Sequence, residues 1–143
     1  MKNIFGVIIF SLLTSLTYAQ ECDSLVNICY KHLQTDTKNN KVFISDGQVY
    51  KAFVDVDQSA EFKITLFGGT LYRIATTAGI MDNFVIFNVY DEDRNLLFSN
   101  EDFDNKPYWD FKIDSTIDCY VEAYLDLDKK VSGCLVILLG FQR

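Results

Sequence analysis

From residue 42 onward, apolar side chains recur at every second position, and short polar or glycine-containing segments interrupt them at close intervals. Alternation of this kind predicts half-buried β-strands. Val42-Phe43-Ile44 begins the series and runs into Ser45-Asp46-Gly47, where Asp-Gly signals a turn. Residues 48–56 alternate, with Tyr50, Ala52, Val54 and Val56 on one face. Residues 61–67 do the same with Phe62, Ile64 and Leu66, and Gly68-Gly69 then predicts a two-residue hairpin from which 70–76 returns antiparallel. Residues 83–90 form a strongly apolar strand, 91–95 a tight polar turn, and Leu96-Leu97-Phe98 the strand after it. Residues 109–113 alternate, as do 117–125, with Ile117, Cys119, Val121, Ala123 and Leu125 directed inward. Residues 134–139 are apolar at every position, which predicts a central strand covered on both faces.

Ahead of the strands the period changes. Asp23 or Ser24 is placed to cap a helix, and Cys22, Leu25, Val26, Cys29 and Leu33 share one of its faces. Residues 35–41 are polar and predict a loop. One helix followed by about eight or nine short strands defines an all-β class, an antiparallel, jelly-roll-like β-sandwich closed by an N-terminal helix.

Residues 1–19 read as a cleavable export signal. Lys2 precedes an apolar run over 4–13, and Thr17-Tyr18-Ala19 supplies small residues at the cleavage positions. The expected division is therefore a signal peptide at 1–19, a helix and loop at 20–41 and a sandwich domain at 42–143, in a secreted or periplasmic protein. The apolar run is too short to span a bilayer. Gln20-Glu21 before Cys22 lacks the small residue of a lipid-attachment site.

Composition sharpens this picture. Aromatic residues make up 15% of the chain and there is one proline, so a packed core is expected rather than a linker. The formal net charge of -7 becomes one unit more negative without Lys2. Such a chain repels phosphate, which excludes nucleic acid and anionic membrane surfaces as expected partners.

Four residue groups carry candidate chemistry. Cys22, Cys29, Cys119 and Cys134 form an even set in an exported chain, which suggests disulfides. Cys22 and Cys29 lie about 10 Å apart along a helix, too far to bridge each other. Helix-to-sheet pairing, such as Cys29 with Cys119 or Cys134, is the expected alternative to four buried thiols. Asp91, Asp93 and Asn95, with Asp102 beyond them, offer oxygen ligands at the spacing of a calcium loop. Leu96 stands where that loop needs glycine, and the competing reading is a polar hairpin turn. Tyr108 and Trp109, with Tyr120 and Tyr124 on the outer face of their strand, offer an aromatic platform for a sugar or a protein; cross-strand packing is the alternative. Finally, no serine, cysteine or histidine stands in a nucleophile setting. A catalytic reading therefore has to rest on carboxylates such as Asp91, Asp93, Asp102 and Asp110.

Three segments in order also carry a resemblance. They are Glu61-Phe62-Lys63-Ile64-Thr65-Leu66-Phe67-Gly68-Gly69-Thr70-Leu71-Tyr72-Arg73-Ile74, then Phe87-Asn88-Val89-Tyr90-Asp91-Glu92-Asp93-Arg94-Asn95-Leu96-Leu97-Phe98, then Asp118-Cys119-Tyr120-Val121-Glu122-Ala123. Over residues 48–141 their arrangement resembles the bacterial pre-peptidase C-terminal domain. The chain is also similar to small secreted proteins of Bacteroidota-type bacteria. The resemblance implies a β-sandwich associated with surface and protease systems and without catalysis of its own. The helix with its two cysteines and the segment 105–111 lie outside that pattern.

The expected function is thus a non-catalytic binding or accessory module of the cell envelope. It needs no cofactor, calcium being the one candidate. Its partner is an envelope or secreted protein or a glycan, met through a sheet face or the 100–110 loop. The alternative is a small secreted hydrolase or lyase that uses carboxylates on a polysaccharide.

Overall fold

The computed structural model describes residues 22–34, 42–80 and 83–142. The expected signal peptide at 1–19 and the loop at 35–41 lie outside the described residues. A helix, α1, spans residues 22–34. Eight strands follow: β1 (Phe43–Val54), β2 (Ala60–Leu66), β3 (Thr70–Thr77), β4 (Val85–Asp91), β5 (Leu96–Ser99), β6 (Tyr108–Ile113), β7 (Ile117–Leu125) and β8 (Gly133–Gln142). A 3-10 turn, Asn100–Phe103, separates β5 from β6.

The strands form two four-stranded antiparallel sheets, ordered β1-β8-β3-β6 and β2-β7-β4-β5. That order is the two-Greek-key weave of a jelly roll, so the expected fold class is the one observed. Consecutive strands mostly alternate between sheets, which corrects the hairpin expected at Gly68-Gly69. β2 and β3 belong to different sheets, and the glycines form an arch between them. The arch is anchored to the β6–β7 connection: Gly68 N donates to Thr116 Oγ1 at 3.0 Å and Gly69 N to the Ile113 carbonyl at 2.7 Å. A Cβ on Gly68 would come within 2.8 Å of the Asp114 carbonyl, so the close approach requires glycine. The turn expected at Asp46-Gly47 is likewise corrected. β1 runs through it as one strand, and the register shifts between Ser45 and Val49, so the Asp-Gly pair makes a bulge.

The inward faces match the alternation. Ile64, Leu66, Val85, Phe87, Val89, Cys119, Val121, Ala123 and Leu125 meet Val54, Tyr72, Ile74, Leu135, Ile137 and Leu139 from the opposite sheet. Val56, expected inward, lies beyond β1 and is exposed, because the strand ends at Val54. β8 pairs with β1 on one side and β3 on the other, and its second face is also covered. The cover is α1: Leu25, Cys29 and Leu33 pack on Phe43, Ala75, Cys134, Val136 and Leu138. Among the described residues no helix is long and apolar enough to cross a membrane.

Candidate binding face

The two outer sheet faces are finished differently. On β1-β8-β3-β6, α1 is fastened at both ends. Near its start, Cys22 is bonded to Cys134 of β8. The pairing is helix-to-sheet, as expected in kind, but it uses Cys22 and not Cys29. Cys29 and Cys119 are free, buried thiols. The Cys29 thiol donates to the Ala75 carbonyl at 3.3 Å, and burial pushes its pKa up to about 12. Burial also raises the Cys119 thiol, so neither cysteine has the lowered pKa of a reactive nucleophile.

At the C-terminal end of α1, Arg73 of β3 donates to the carbonyls of His32 (3.2 Å) and Leu33 (3.4 Å). These belong to the last turn, whose carbonyls have no partner within the helix and which favours a cation. The guanidinium is 1% exposed and lies between the rings of Phe43 and Tyr108, at 4.2 and 4.4 Å. Its charge is balanced by Asp110 on the paired strand β6. No sequence signal singled out Arg73, because its strand parity matches that of an ordinary solvent-facing residue; α1 is what buries it.

The outer face of β2-β7-β4-β5 has no such cover among the described residues. Because Cys119, Val121, Ala123 and Leu125 point into the core, the alternate residues of β7 point out, namely Asp118, Tyr120, Glu122 and Tyr124. Register places Tyr120 between Lys63 of β2 and Tyr90 of β4, and Tyr124 beside Ile86. All three tyrosines are half-buried. Arg94, in a left-handed conformation in the β4–β5 turn, reaches across this face. It bonds Glu61 of β2 twice (2.7 and 2.9 Å), with its guanidinium 4.1 Å from the Tyr120 ring centre. The Arg94 guanidinium holds the Glu61 carboxyl below its ordinary range. Burial raises the Tyr124 phenol; a hydrogen bond from Asn88 opposes the shift, and Glu101, Glu122 and Tyr90 add to it.

The four aromatics expected in one platform occupy different surfaces. Tyr108 packs on Arg73 beneath α1. Trp109 has the opposite parity on β6 and packs with Phe98 and Phe103 at the sandwich edge, 5.0 and 4.3 Å away. Only Tyr120 and Tyr124 share the open face, and Tyr90, not foreseen as a site residue, joins them there. The oxygen-rich residues are similarly dispersed. Asp91 accepts from Asn95 N (2.8 Å) and Asn95 Nδ2 (3.0 Å), which makes 91–95 a self-bonded hairpin turn and holds the Asp91 carboxyl below its ordinary range. Asp93 is exposed in that turn, and Asp102 lies in the 3-10 turn beyond the other end of β5. Among the described residues, no three His, Cys, Asp or Glu side chains gather as a metal ion would require. Asp110 is committed to Arg73, so the carboxylates weighed for catalysis do not converge on one pocket.

These features define a jelly-roll sandwich with one face sealed by a stapled helix and the other presenting tyrosines and ion pairs. No family model matches the chain, including one for the pre-peptidase C-terminal domain, and no curated protein matches it. Solved structures do. One is the crystal structure of Aeromonas hydrophila PliG, a periplasmic lysozyme inhibitor of g-type lysozyme. It is similar over 69% of this chain and 91% of that chain, with a TM-score of 0.52 and 11% sequence identity. The likeness is one of fold.

Proposed function

We propose that this chain is an exported, non-catalytic module that binds another protein through the open face of β2-β7-β4-β5. The observation that carries the reading is the asymmetry of the sandwich. A disulfide and a buried arginine secure a helix over one face, while Tyr90, Tyr120 and Tyr124 line the other. Half-buried tyrosines held by strands bring large amphipathic contact area at low entropic cost, the chemistry of a protein hot spot. PliG, of the same fold, is a periplasmic inhibitor of another protein, g-type lysozyme. That supports a protein partner and an extracytoplasmic setting.

Cross-linked capture from the native cell envelope tests the reading. The wild-type chain is expected to retain one stoichiometric protein, and a Tyr90→Ala, Tyr120→Ala double variant with unchanged stability is expected to lose it. Equal capture by both, or capture of no protein, would overturn the proposal.

A further inference from the structure

A cavity of about 340 Å³ opens at one end of this face, where the β1–β2 and β7–β8 connections meet. Its apolar wall includes Ile86, Leu127 and the Tyr124 ring, and its polar side includes Asp55 and Asp57. Ile86 and Tyr124 also belong to the open face, so the cavity continues that surface.

The two carboxylates differ from the other acids nearby. Asp126, also in the lining, is already engaged: it accepts from Asn105 Nδ2 at 2.8 Å and from Asp128 N at 3.2 Å, and Lys129 is 3.7 Å away. The Asp55 carboxylate accepts only from a backbone group, Val56 N at 2.8 Å, and pairs with no cation among the described residues. Asp57 makes no hydrogen bond or ion pair among the described residues. Among the described residues, no lysine or arginine lines the cavity. Its walls are set by the turn itself, where Gln58 N donates to the Asp55 carbonyl (3.1 Å) and Asp55 N donates to Gln58 Oε1 (2.9 Å).

Ligand sites run from about 300 to 1,000 Å³, so this cavity is sized for one side chain rather than a folded element. Its chemistry is apolar at the wall, flat and aromatic at one side and doubly negative at the mouth. An arginine matches each part: methylenes on Ile86 and Leu127, the planar cation over Tyr124, and N–H groups toward Asp55 and Asp57. We infer that the cavity receives an arginine side chain from the protein that docks on the open face. The inference rests on the open-face reading and adds the partner's chemistry, a basic residue at the rim of its contact surface.

The test is an amide NMR titration of the ¹⁵N-labelled exported chain. The probes are Nα-acetyl-arginine amide and Nα-acetyl-citrulline amide, which has the same shape without the charge. The arginine probe is expected to shift the Asp57, Tyr124 and Leu127 amides saturably. The citrulline probe is expected to bind about tenfold more weakly, the scale on which charged and neutral hydrogen bonds differ. A D55N, D57N double variant with an otherwise unchanged spectrum is expected to lose that preference. Equal binding of the two probes, or no shift at these amides, would overturn the inference. The failures are separable: no captured protein sinks the open-face reading, whereas normal capture by both the wild type and D55N, D57N, with no arginine-induced shifts in the wild type, sinks only the cavity.

Discussion

Arg73 and Asp110 meet in a two-point ion pair, Nε to Oδ1 at 2.6 Å and Nη2 to Oδ2 at 3.0 Å, directly beneath the end of the helix whose last carbonyls Arg73 also holds. Helix, sheet and two aromatic rings converge on this one guanidinium. Asp110→Ala is expected to remove this two-point ion pair from a buried guanidinium. The loss should sit at the lower end of the roughly 3–5 kcal/mol typical of breaking a buried pair, because water reaches the partly exposed Asp110 side. Urea unfolding of D110A, R73M and the double variant measures the coupling. Strictly additive losses would show that the pair does not act as a unit.

The Cys22–Cys134 bond joins residues 112 positions apart. In the chain-entropy view, closing a loop of that size stabilises the fold by about 4–5 kcal/mol. Unfolding midpoints with and without a reductant should separate accordingly, and Cys22→Ser should abolish the separation. An unchanged midpoint on reduction would mean that the disulfide does not contribute to holding the helix.

Cys29 makes stability fall at alkaline pH. Its folded pKa is raised from an ordinary value near 9 to about 12, so the folded state keeps a proton that the unfolded chain loses. The stabilisation is complete below pH 9 and is lost as pH climbs toward 12, at ~1.4 kcal/mol per pH unit for this one group. Cys29→Ala is expected to flatten the dependence relative to wild type between those limits. In native protein at pH 8, a thiol reagent should leave Cys29 unmodified.

Asn100 is fully buried. Its side chain accepts from Phe87 N at 2.8 Å and donates to the carbonyls of Val85 (2.9 Å) and Lys106 (3.1 Å), tying the β5–β6 connection to β4. Asn100→Ala strands these groups and should cost on the order of 3 kcal/mol, given about 1–3 kcal/mol for each unmet buried partner. Thermal unfolding gives the magnitude, and faster hydrogen exchange at the Phe87 amide gives the location.

On the open face, Arg94→Ala should raise the Glu61 carboxyl back toward its ordinary range, since the guanidinium holds it low. In wild type, the stabilisation from this pair is present above the ordinary carboxylate pKa and is lost as pH falls through the lowered value. A carboxyl NMR titration of both proteins reads the shift directly. A Glu61 pKa that does not move would mean that Arg94 does not hold this carboxylate in solution.

The sequence by itself determined the all-β class, the inward residues of β2 and β7, the double burial of β8 and the apolar stripe of α1. Each is a local periodicity, and a period of two or 3.6 states which side of an element avoids water. It does not state what lies against that side. Tertiary structure alone decided that Gly68-Gly69 arches between sheets, because an arch and a hairpin use the same turn residues. It selected Cys22 as the partner of Cys134, because a disulfide depends on Cα separation in space. It buried Arg73, whose strand position reads as solvent-facing until α1 covers it. It also dispersed the aromatics: Tyr108 and Trp109 are neighbours in the chain but point to opposite faces of one strand, and neither belongs to the sheet that carries Tyr120 and Tyr124. The open face and its cavity exist because the helix closes one sheet and not the other, a choice made by long-range contacts that alternation along a single strand does not encode.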